Sequence, residues 1–82
     1  MMIMIDVEVP VLDRIYDFEL DTEVLAEEAT GKIVTLILQN DGLTMRQPER
    51  FYLYGLRQEK VLNPDMTLKE QGVQSGDRLV LI

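Results

Sequence analysis

The side chains equipped for chemistry in this chain are almost all carboxylates. Asp6 and Glu8 alternate with apolar residues in "IDVEV", and Asp17 and Glu19 do so in "YDFEL". Alternate residues of a strand share a side, so a hairpin built from these stretches carries all four acids on one face. Clustered carboxylates can hold a hard cation through oxygen, but on an open strand face hydration is the commoner fate. The other reactive groups are missing. Histidine and cysteine do not occur. That removes the commonest general base, the thiol nucleophile, disulfides and Cys-based zinc or iron–sulfur sites. Ser75 and the threonines have no histidine to activate them. The glycines of "GLTMR" and "SGD" mark turns and lack the Gly-x-x-x-x-Gly-Lys spacing of a phosphate loop. The chain is therefore expected not to be an enzyme, with no catalytic residue, no cofactor and no metal site.

The acidity is uneven. Of the net −7, residues 1–28 hold nine acids against Arg14, a balance of −8, while the rest holds six acids and seven bases. An acidic front repels phosphate backbones and anionic headgroups, so neither nucleic acid nor a membrane surface is an expected partner. Solubility explains the charge, and so does a docking face for a basic partner. No apolar run approaches the roughly 20 residues of a membrane span. The opening "MMIMIDVEVP" has no basic flank and includes Asp6, unlike a secretory signal. The cytoplasm is the expected location. With 82 residues, 46% of them hydrophobic, the chain suffices for one small core, and a single domain over 1–82 is expected.

The elements follow from periodicity. Ile3, Ile5, Val7 and Val9 alternate with Met2, Met4, Asp6 and Glu8, a half-buried strand. After a turn near Leu12-Asp13-Arg14, Tyr16, Phe18 and Leu20 alternate with Asp17, Glu19 and Asp21, completing a hairpin. Asp21-Thr22 with Glu23 reads as a helix N-terminus. Helical spacing continues through Leu25/Ala26, Ala29, Ile33 and Leu36/Ile37 to a stop at Asn40-Asp41-Gly42. Gly31 costs about 1 kcal/mol relative to alanine there and leaves a bend or division of the helix open. The β-branched content of Val34–Leu38 leaves a strand as the alternative. Beyond Pro48, Phe51 and Leu53 point one way and Tyr52, Tyr54 and Leu56 the other. Val61-Leu62 forms a short strand, and Thr67–Gln71 one helical turn closed by Gly72. Leu79 and Leu81 of the last strand oppose Arg78, Val80 and Ile82.

That last run is too apolar for an edge. Inserted parallel to the first strand, it joins the hairpin to the later strands, and the intervening helix supplies the long crossover that parallel pairing needs. The closing segment "TLKEQGVQSGDRLVLI" is similar to that of ubiquitin. Leu62, Pro64, Asp65, Thr67, Leu68, Glu70, Gly72, Val73, Gly76, Asp77, Leu79 and Leu81 fit the ending of the YukD/EsaB family and of the N-terminal domain of EccD-type membrane proteins. The resemblance implies an α+β ubiquitin-like β-grasp: a mixed sheet of four to five strands packed on one helix, the terminal strand central and parallel to the first.

The same resemblance implies a non-catalytic accessory component of bacterial type VII (W-x-G substrate) secretion, acting by contact. The expected partner is another protein, a secretion ATPase or membrane component, with a homodimer through the same surface as a further arrangement. Ubiquitin and the sulfur carriers act through a Gly-Gly tail, and this sequence ends at Ile82 without one, so conjugation and sulfur transfer are not expected. A small accessory subunit of a multicomponent oxygenase, sharing the fold and a "P-D-M-T-L" loop, is the alternative. The expected contact surface is the open face of the sheet, through Met2, Met4, Tyr52, Tyr54, Val80 and Ile82.

Overall fold

A computed structural model describes residues 1–41 and 51–82 of the chain. Strand β1 (Met2–Val9) buries Ile3, Ile5, Val7 and Val9 and turns the intervening residues outward. A single 3-10 turn (Pro10–Leu12) ends at Asp13, whose φ of 55° reverses the chain into β2 (Arg14–Asp21). The two strands pair antiparallel over their whole length, Met2 opposite Asp21 and Val9 opposite Arg14.

Helix α1 (Ala26–Asp41) begins later than the Asp21-Thr22 signal predicts. The Asp21 carboxylate does accept the Glu23 N–H at 2.9 Å, but it closes a local turn instead of capping the helix. Leu25 then bridges Thr67, and the first helical N–H groups find distant carbonyls: Ala26 donates to Met66 at 2.8 Å and Glu27 to Pro64 at 3.1 Å. Tertiary backbone partners replace a side-chain cap. Glu27 and Glu28 occupy the first turn, where the helix dipole favours acids. The helix is one continuous element through Gly31 and Val34–Leu38. Ala29, Ile33 and Ile37 pack onto the sheet. The Gly42 stop signal lies outside the described residues.

Three more strands follow: β3 (Leu53–Gly55), β4 (Lys60–Val61) and β5 (Arg78–Leu81). The five-stranded sheet runs β2-β1-β5-β3-β4. The terminal strand is central. It pairs parallel with β1, Val7 beside Leu79, and antiparallel with β3, Leu53 beside Leu81. All four of those side chains are buried. This is the ubiquitin-like arrangement of one helix across a mixed sheet.

The loop before β5 is held by polar contacts. Thr67 and Glu70 cap each other reciprocally, the Thr67 N–H donating to the carboxylate at 2.9 Å and the Glu70 N–H to the hydroxyl at 3.0 Å. Buried Gln71 accepts from the Asn63 N–H at 2.6 Å and donates to the Asn63 and Met66 carbonyls. Gly72, at φ 76°, ends the turn so that the Val73 side chain enters the core.

Candidate interaction face

Among the described residues no element covers the outer side of the sheet, and strand register arranges it in transverse rows. One row reads Ile15, Glu8, Val80, Tyr54, Val61 across all five strands. The row toward the β5 terminus sets Tyr52 beside Ile82, each donating its N–H to the other's carbonyl at 3.0 and 2.9 Å. On the opposite side lies a row of Asp17, Asp6 and Arg78, with the Leu56 N–H donating to the Arg78 carbonyl at 3.4 Å.

Tyr52, Tyr54, Val80 and Ile82 therefore form one contiguous apolar group, as their alternation predicts. Met2 and Met4 share the face but stand apart from it. The parallel register aligns Glu8 with Val80, which leaves Met4 beside the turn into β5, where the Gly76 N–H donates to the Met4 carbonyl at 2.8 Å. The Asp6–Arg78 ion pair, 3.8 Å, lies between the methionines and the tyrosine group. Two residues not singled out from the sequence extend the row. Val61 is exposed and borders Tyr54; Ile15 is exposed and borders Glu8. Alternation with buried Leu62 signals that Val61 is exposed, but its place beside Tyr54 comes from the β3–β4 register alone.

The electrostatics divide this face. Asp6 lies directly opposite Asp17. A hydrogen bond that the protonated Asp17 carboxyl donates to Asp6, and then the Asp6 charge, hold the Asp17 carboxyl above the ordinary carboxylate range. At the β5 entrance Arg57 donates two parallel bonds to Asp77, at 3.0 and 2.8 Å, and also contacts the Gly72 carbonyl. Asp77 further accepts the Gln74 N–H at 2.9 Å. The Arg57 bonds, with that N–H, hold the Asp77 carboxyl below the ordinary range despite partial burial. Among the described residues no group of three or more acids is placed to hold a metal ion. The face offers shape, apolar surface and charge; it assembles no nucleophile with a base.

The chain matches the family described as "WXG100 protein secretion system (Wss), protein YukD" over residues 4–81. It belongs to that family. No curated protein sequence matches the chain. Solved structures share the fold of this YukD-family chain at low identity. The ubiquitin-like domain of EccD5 from Mycobacterium xenopi has a TM-score of 0.75 at 24% identity, covering 100% of this chain and 93% of that one. A chain of a toluene 4-monooxygenase HD complex with 4-bromobenzoate has a TM-score of 0.82 at 10% identity, covering 99% and 96%. The ubiquitin-like domain of an Arabidopsis thaliana protein has a TM-score of 0.74 at 19% identity, covering 99% and 76%. Membership rests on the family match, since identities this low speak for the fold alone.

Proposed function

We propose that this YukD-family chain is a non-catalytic accessory module of a type VII secretion system. It acts in the cytoplasm by docking on another protein through the Tyr52, Tyr54, Val80 and Ile82 group. The family match over residues 4–81 carries the association with secretion. The observation that carries the docking mode is the row Val80–Tyr54–Val61, apolar residues side by side on three neighbouring strands with none of the described elements packed over them. Tyrosine and aliphatic side chains suit protein interfaces. A secretion ATPase or a membrane component of the same system is the partner class that fits. No helix among the described residues is long and apolar enough to cross a membrane.

The test is capture from the native organism's lysate, comparing wild type with a Tyr54→Asp/Val80→Asp variant shown to be folded. Recovery of a secretion ATPase or its membrane partner, lost in the variant, supports the reading. Recovery of a di-iron hydroxylase moves the chain to the oxygenase alternative. Recovery of the same proteins by both chains overturns the role of the face.

A further inference from the structure

We propose that the occupant of this face is an amphipathic helix of the partner protein, with lysine or arginine along one flank. The inference rests on the protein-docking reading above and adds the partner's chemistry.

The face has two unlike halves. Over β5, β3 and β4 it is apolar, with Val80, Tyr54 and Val61 in one row and Ile82 beside Tyr52 in the next. Over β2 and β1 its middle is acidic, with Glu8, Asp6, Asp17 and Glu19, while Ile15 stands at one end and Met2 and Met4 at the other. The boundary runs between Glu8 and Val80, which are neighbours in register. Arg78 sits on that boundary at 3.8 Å from Asp6, one cation beside four carboxylates. Asp6 and Asp17 face each other directly across β1 and β2, which concentrates negative charge in this half.

An apolar ligand covering Val80 and Tyr54 lays its edge along Glu8 and Asp6, with Asp17 one strand further out. An acidic edge is repelled, a neutral one strips water from the carboxylates with nothing in exchange, and a cationic one replaces that water with charged hydrogen bonds. The spacing fits a helix. The centre of the apolar half, at β3, lies two and a half strand spacings, about 12 Å, from the centre of the acidic half, between β1 and β2. A helix about 10–12 Å across, laid along the strands, faces the first half with its apolar stripe and the second with its flank. A second copy of this chain fits poorly. In a two-fold interface the patch must complement itself, and here acids would meet acids or be pressed onto the apolar half. A partner strand adds at a sheet edge, through its open backbone groups, and not on this face.

The test uses two designed helical peptides of about 18 residues, long enough for measurable helicity. They share one leucine stripe and differ only in a lysine or a glutamate flank. Each is titrated into 15N-labelled protein at physiological salt, followed by amide shifts. The lysine peptide is expected to move Val80, Tyr54 and Glu8 together and to bind on the order of tenfold tighter than the glutamate peptide. Glu8→Lys/Asp17→Lys should abolish or invert that preference, and the milder Glu8→Gln/Asp17→Asn should narrow it. Equal shifts of the apolar half by both peptides overturn the charge argument while leaving protein docking standing. Shifts confined to β1 and β2, or none at all, overturn the helix. Shifts of the face on concentrating the protein alone assign it to a second copy and overturn the proposal.

Discussion

Asp6 and Asp17 face each other across the β1–β2 hairpin at a registered cross-strand position. Opposed like charges weaken a strand pair, and Asp6 holds the Asp17 carboxyl above its ordinary range. A carboxyl raised in the folded state binds its proton more tightly there than in the unfolded chain. Its penalty is therefore fully present above the folded-state pKa and relieved below the unfolded value of about 3.9. Asp17→Asn should raise the melting temperature at pH 7 and lose that advantage as the pH falls through the carboxylate range. Thermal denaturation of both chains at pH 7 and pH 3 measures it, and an equal gain at both pH values would refute the account.

Arg57 and Asp77 should behave with the opposite sign. Asp77 is lowered, first by the Arg57 bonds, so its contribution is present above about pH 3.9 and lost as the pH falls through the folded-state value. Its side chain is 10% exposed, whereas that of Arg57 is half exposed, which screens the pair. Asp77→Asn should destabilise at pH 7 because it swaps an acceptor oxygen for a donor facing the Gln74 N–H and Arg57. The gap from wild type should close toward pH 3. Arg57→Lys, which cannot form the parallel pair of bonds, should show a smaller loss of the same kind. Urea midpoints across the pH range test both variants.

Gly31 is spare flexibility inside α1. A Cβ built there meets nothing within 4 Å beyond its chain neighbours and its own helix backbone, and the residue is exposed in mid-helix. Alanine lowers the entropy of the unfolded chain and keeps the helix geometry. Gly31→Ala should therefore raise stability by about 0.5–1 kcal/mol. Denaturant unfolding checks this, and a loss would mean that the helix needs the glycine for a partner.

How much of this was legible beforehand differs from element to element, for physical reasons. The hairpin and the central terminal strand show in the sequence because period-two alternation reports one-sided burial directly. Tyr52, Tyr54, Val80 and Ile82 share a face on the same ground. The helix start does not show, because a distant loop supplies the first acceptors, Met66 and Pro64, and the local Asp21 signal is used in a turn. The separation of Met2 and Met4 from the tyrosine group does not show either. Alternation fixes the face of a residue but leaves its position along a parallel neighbour open. Only the register of Asp6 beside Arg78 and Glu8 beside Val80 sets it. Val61 becomes part of the group through its pairing with Tyr54, a contact no periodicity encodes.

Leu79 and Val80 are adjacent in sequence and opposite in environment, which makes them a sharp test of the terminal strand. Leu79 is fully buried beside Val7 and Gly55, at the middle of the sheet. Leu79→Ala removes core volume where flanking strands limit collapse, and should cost about 2–5 kcal/mol. In a chain of this size that is a large part of the total stability, which is about 5–15 kcal/mol for ordinary domains. Val80 points to the open face between Glu8 and Tyr54. Val80→Thr keeps the β-branched shape and should change stability by no more than about 0.5 kcal/mol. Urea unfolding of the two variants side by side decides the matter. Comparable losses would mean that the Val80 face is covered within the folded chain, and the docking surface would then have to be sought elsewhere.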